Sequence, residues 1–152
     1  MRGSEDNTDS DLIEAAKSAR GQAYVPYSGF AVGAALKTGD GSIITGANIE
    51  NASYGLTNCA ERSAMFTLLT QRGQEGVRVD EIAVVADAPV PVSPCGACRQ
   101  VLTEFCAPQT PVILANLRGD IKRTTVGELL PGAFTPDQMA YAESKDKASQ
   151  KG

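Results

Sequence analysis

What most constrains this chain is a strand, a helix and a second strand in direct succession between Glu81 and Ala115. Glu81 to Ala86 is a short, mostly apolar run that reads as a buried strand, and Pro111 to Ala115 is another such run. Between them, Ser93-Pro94 offers an N-cap followed by a proline at the first helical position, so Pro94 to Phe105 reads as a helix. Strands joined by a helix of that length are parallel, with a right-handed crossover. The class is therefore α/β. A hairpin precedes this unit: Phe30 to Thr38 and Ser42 to Asn48 are extended runs separated by Gly39-Asp40-Gly41, residues that tolerate positive φ. A first helix is expected over Leu12 to Ala23 with Asp9, Ser10 and Asp11 as cap candidates, and a second over Cys59 to Gln71 with Gly73 just past its end. A short strand near Ile121 to Thr124 and a brief helix over Thr125 to Leu130 complete the set. The expected organisation is a polar acidic extension over 1–10, one domain over 11–134, and a polar tail over 135–152 whose end is disordered.

Charge narrows the partners. The net charge of −4 comes from the first residues, where Glu5, Asp6, Asp9, Asp11 and Glu14 face only Arg2; the remainder holds thirteen acids and thirteen bases. Binding to a polyanion depends on clustered Lys and Arg releasing counterions, and no such cluster is present, so long nucleic acid is excluded as a partner. The longest apolar runs fall far short of the roughly 20 residues that span a bilayer. Residues 1–11 lack the apolar stretch of a signal peptide, so a cytoplasmic location is expected, where thiols stay reduced. The four cysteines then read as ligands, nucleophiles or core residues before disulfides. The chain has no histidine. That rules out Ser-His-Asp and Cys-His catalysis, and it requires any tight zinc site to be built mainly from thiolates.

Cys95 and Cys98 stand three apart at a helix start, one turn apart on one face, able to share a metal. Alone, such a pair also reads as a redox dithiol or as two buried small residues. Cys59-Ala60-Glu61 lies at another expected helix start, and two helix starts can aim three sulfurs at one point. Cys106 cannot join them, because eight residues along a helix is about 12 Å against Zn–S bonds of about 2.3 Å; it reads as a core cysteine. Three protein ligands leave one position open, as in a catalytic zinc site. Glu61 is the carboxylate placed to handle a water's proton.

Cys59-Ala60-Glu61 with Pro94-Cys95-Gly96-Ala97-Cys98 resembles the zinc deaminase signature, with Cys in place of a His ligand. Phe30-Ala31-Val32-Gly33-Ala34-Ala35-Leu36, Asn48-Ile49-Glu50-Asn51, Asn58-Cys59-Ala60-Glu61-Arg62 and Leu129-Leu130-Pro131-Gly132-Ala133-Phe134 are similar to the small homotetrameric cytidine deaminases. The resemblance runs in order from about Leu12 to Phe134. It implies a single three-layer α/β/α domain with a mixed sheet of about five strands, and hydrolysis of cytidine and deoxycytidine to uridine and deoxyuridine with release of ammonia in pyrimidine salvage. It also implies one zinc per chain held by Cys59, Cys95 and Cys98, with a zinc-activated water attacking C4 while Glu61 shuttles its proton. The N–H of Ala60 would bind the pyrimidine carbonyl, Phe30 would lie against the base, and Asn48 and Glu50 would hold the sugar hydroxyls. Tyr54 and Phe134 would reach into a neighbouring subunit's site in a tetramer with shared active sites.

Three thiolates on Zn²⁺ sum to −1, which makes the metal a poorer Lewis acid. Arg62 follows Glu61 and Arg99 follows Cys98, and either could offset this from the zinc's outer shell by donating to a sulfur. A structural zinc module would want a fourth ligand, which is missing, and a thiol–disulfide oxidoreductase would leave Cys59-Ala60-Glu61 without a role. A blasticidin-type or nucleotide deaminase is the nearer alternative.

Overall fold

The computed structural model of the chain describes residues 5–140 and 147–148, and among these five strands and four principal α-helices build the fold. In chain order they are α1 (Glu5–Arg20), β1 (Val32–Thr38), β2 (Ile43–Ala47), α2 (Ala60–Arg72), β3 (Val79–Ala86), α3 (Gly96–Phe105), β4 (Pro111–Ala115), β5 (Ile121–Thr125) and α4 (Val126–Leu129). The sheet order is β2-β1-β3-β4-β5. β3 and β4 are parallel across the α3 crossover, while every other neighbouring pair is antiparallel. The mixed five-stranded sheet is thus the expected one.

Alternation along the strands divides the core into two layers. Ala35, Ala83, Val85, Ile113 and Ala115 face α1, against Leu12 and Ala16. Ala34, Leu36, Ile82, Val84, Val112 and Leu114 face the other way, against Met65 and Leu68 of α2 and Leu102 of α3. Successive residues of a strand point to opposite faces, so apolar residues at every position require a helix layer on both sides. The result is the α/β/α sandwich.

Two helices start two or more residues away from the expected position. α1 begins at Glu5, so Asp9, Ser10 and Asp11 lie inside the helix instead of capping it, and residues 5–10 belong to α1. Acidic residues near a helix N-terminus interact favourably with its dipole, and a polar helical turn has no apolar periodicity by which to be recognised. At α3 the cap is Cys95, not Ser93, and Pro94 precedes the helix. Cys59 likewise caps α2. At the other end, residues 137–140 are helical, and most of the expected disordered end lies outside the described residues.

Candidate metal centre and substrate pocket

The two cap positions bring the cysteines together. Neither Cys59 nor Cys95 spends its side chain on capping, so both sulfurs are available at helix N-termini, whose partial positive charge favours thiolates. Cys98, in the first turn of α3, is fully buried beside them. The Cys59 and Cys95 sulfurs are 3.7 Å apart, and all three lie within 4.8 Å of one another. Tetrahedral zinc with Zn–S bonds of about 2.3 Å places its sulfurs about 3.8 Å apart, so this donor set fits the metal. Among the described residues it is the one group of three or more Cys, Asp or Glu residues that could hold an ion. Cys106 closes α3 away from the trio, and burial pushes its thiol up to about 12.

Charge within the group is unevenly shared. The hydrogen bond from Cys98, helped by Arg62 and opposed by burial, brings the Cys59 thiol down to about 5. Donating that bond, burial and the neighbouring Glu61 push the Cys98 thiol up. Binding a metal requires the thiols to give up their protons. Glu61 is buried at 5% exposure, accepts from the Cys98 sulfur at 3.3 Å through Oε2, and is raised above the usual carboxylate range chiefly by desolvation. Arg62 donates from Nη2 to the Cys59 sulfur at 3.3 Å and is also placed to hydrogen-bond Cys98. With all three cysteines ionised around a metal, its charge would offset part of their negative charge.

Arg99 does not share that task. Its guanidinium donates to the Pro94 carbonyl at 2.8 Å, the Leu129 carbonyl at 2.6 Å and the Ser93 hydroxyl at 2.7 Å. The expectation that it could bond a sulfur is corrected. Three oxygen acceptors are better partners for its planar donors than a thiolate already served by Arg62.

A cavity of about 200 Å³ opens onto the metal group, lined by Phe30, Val32, Asn48, Cys59, Ala60, Glu61, Val92, Ser93 and Cys95. Ala60 is the first residue of α2, where a backbone N–H has no intrahelical acceptor and is free for a ligand. A larger cavity of about 470 Å³ lies beside Val77–Asp80 and Phe105–Pro111, but it contains no ligand cluster. None of Val32, Val92 and Ser93 was given a site role from sequence; Val32 stood only in a quoted motif and Ser93 only as a cap candidate.

The family described as the cytidine and deoxycytidylate deaminase zinc-binding region matches residues 6–114. The chain belongs to this deaminase family. It is 58% identical over 132 residues to the cytidine deaminase of Sporosarcina psychrophila, covering 86% of this chain and 94% of that protein. Identity to the cytidine deaminase of Halalkalibacterium halodurans is 61% over 128 residues, covering 84% and 95% respectively. The crystal structure of the Burkholderia pseudomallei cytidine deaminase superimposes with a TM-score of 0.77 at 52% identity, covering 82% of this chain and 98% of that one.

The remaining expected residues of this deaminase fall into two groups. Phe30 and Asn48 line the cavity; the Asn48 amide is fixed, accepting from Val32 N at 2.9 Å and donating to the Phe30 carbonyl at 2.8 Å. Glu50 lines a neighbouring, open recess with Tyr27, Ser28, Tyr54 and Thr57. Its Oε1 accepts from the backbone N–H groups of Tyr27 and Ser28 at 3.1 Å each. These bonds outweigh desolvation and hold Glu50 below the usual carboxylate range. Tyr54, in a single 3₁₀ turn, is 74% exposed and packs edge-on against Tyr27 at 5.7 Å. Phe134 is 54% exposed, and neither ring lines its own chain's metal cavity.

Proposed function

We propose that this deaminase hydrolyses the exocyclic amine of free cytidine and deoxycytidine, giving uridine, deoxyuridine and ammonia, with one zinc per chain. The observation that carries this reading is the convergence of Cys59, Cys95 and Cys98 beside buried Glu61 at a small cavity. Zinc, when bound there, supplies a Lewis acid that makes water nucleophilic near neutral pH. Glu61 takes one proton of the attacking water at a carboxylate oxygen and passes it to ring N3, then takes the remaining proton from the new C4 hydroxyl and passes it to the amine, which leaves as ammonia as the C4 carbonyl forms. Its desolvated position suits both roles. The Ala60 N–H holds the ring carbonyl, Phe30 lies against the base, and Arg62 moderates the sulfurs.

Asn48 and Glu50 set the substrate class as ligands of the sugar hydroxyls. A carboxylate accepts from a hydroxyl but repels a phosphate, and Glu50 is kept ionised by two N–H donors. Cytidine and deoxycytidine are therefore expected to react well, and cytidine 5′-monophosphate and free cytosine poorly. The test is kcat/KM for each under one buffer and salt condition. A monophosphate that matched cytidine would replace the nucleoside reading with a nucleotide one.

The exposed rings of Tyr54 and Phe134 support a closed homo-oligomer, a tetramer, in which they complete a neighbour's pocket. Light scattering is expected to return an oligomer for the active species; a fully active monomer would remove this part of the reading. No helix among the described residues is long and apolar enough to cross a membrane. A thiolate-only metal site suits the reducing cytoplasm, where pyrimidine salvage would place the enzyme.

A further inference from the structure

Of the three proposed ligands, Cys95 has the least local support. It ends a stretch, residues 87–95, with no regular secondary structure, and it is exposed, whereas Cys98 is buried and Cys59 is held by Arg62. What fixes its backbone is Arg99, one turn further along α3. The Arg99 N–H donates to the Cys95 carbonyl at 3.0 Å, while its guanidinium takes the Pro94 carbonyl and the Ser93 hydroxyl. The backbone bond is the first of the helix and any residue at this position would make it; the guanidinium itself grips Ser93 and Pro94, the two residues that lead into Cys95. The guanidinium's remaining contact is the Leu129 carbonyl at the end of α4, and the adjacent Gln100 donates from Nε2 to the Phe134 carbonyl at 2.9 Å. Arg99 and Gln100 therefore fasten both ends of the Leu129–Phe134 segment to the helix that carries the CxxC pair.

We propose that Arg99 is a positioning residue for the deamination: it holds Cys95 in place for the metal and makes the Cys95 loop and the Phe134 segment one mechanical unit, with Gln100 as the second fastening. This rests on the reading of Cys95 as a zinc ligand and Phe134 as a substrate-site residue. A planar fork is required, because three acceptors in different directions are met at once; a lysine ammonium at that position would meet fewer.

The test follows zinc release from the purified zinc-loaded protein into a chromophoric chelator, with kcat and KM for cytidine measured on the same samples. Arg99→Lys is expected to release zinc about tenfold faster or more, the scale on which outer-shell partners act, and to raise KM. Ser93→Ala, which removes a single bond and leaves α3 and α4 untouched, is expected to release zinc faster than wild type but more slowly than Arg99→Lys. Gln100→Ala is expected to raise KM while releasing zinc at the wild-type rate, a split that general loss of stability would not produce. Wild-type protein that holds zinc, with both Ser93→Ala and Arg99→Lys releasing it no faster, overturns the proposal alone. Wild-type protein purified without zinc overturns the metal reading and the proposal with it. If Arg99→Lys fails to fold, Ser93→Ala still decides.

Discussion

Glu61→Gln is expected to abolish nearly all turnover while leaving zinc content and fold intact. The side chain sits at the second position of α2, 5% exposed, between the Cys98 sulfur and the cavity. Glutamine has the same shape and keeps one oxygen that can accept from the Cys98 sulfur, so the surrounding packing need not change. What it loses is the capacity to take and return a proton. General acid–base catalysis contributes about 10²- to 10⁴-fold, and here one carboxylate serves both halves of the reaction, so a loss of at least a hundredfold in kcat is expected. KM should move much less, because the sugar and base contacts lie on other residues. The deciding measurements are kcat, KM and zinc per chain on one preparation. Retention of a tenth or more of wild-type kcat with zinc bound would show that another group moves the proton.

The sheet, the crossover and the cysteine trio were legible because each depends on local pattern. Short apolar runs, the Gly39-Asp40-Gly41 turn and cysteines at two helix starts are properties of short windows, and the turn forms as read, with Asp40 accepting from Thr38 Oγ1 at 2.5 Å and Ser42 N at 3.1 Å. Arg62 could be placed near a sulfur for the same reason, since it stands three residues after Cys59 on one helix. Arg99 could not be. Its decisive partner, Leu129, is thirty residues away, and nothing in the spacing says which carbonyl the fold will bring to it. The early start of α1 escaped notice because Glu5 to Ser10 has no apolar face to report a period. Glu50 was grouped with Asn48 by the resemblance, yet it lines a different recess, because Tyr27 and Ser28 draw its carboxylate toward their own N–H groups.

Glycines inside strands carried a signal that sequence could state only in part, since such a glycine marks a close backbone approach without saying what approaches. Gly46 in β2 and Gly33 in β1 supply the answer from opposite faces of the sheet. A Cβ on Gly46 would sit 2.3 Å from Ala64 N and 2.6 Å from the Ala60 carbonyl, both backbone atoms of α2. One on Gly33 would sit 1.9 Å from the Ala16 carbonyl and 2.5 Å from Arg20 N, on α1. Side chains can turn away from such a contact, but a helix backbone cannot without moving as a body. Gly46→Ala is therefore expected to push the start of α2 off the sheet, displacing Cys59, Ala60 and Glu61 together. Overpacking costs about 1–3 kcal/mol, and a contact this short with backbone belongs at the upper end, lowering the melting temperature by roughly 6–12 °C for a chain of this size. Zinc release should accelerate as well, because one ligand moves relative to the other two. Gly33→Ala offers the contrast: its collision is with the layer that carries no ligand, so it should cost at least as much stability while accelerating zinc release less. The pair is read by calorimetry and by chelator competition on zinc-loaded protein. If Gly46→Ala melted with the wild type, β2 and α2 would not approach so closely. If the two variants released zinc equally fast, the metal centre would be responding to general loosening and not to the position of α2.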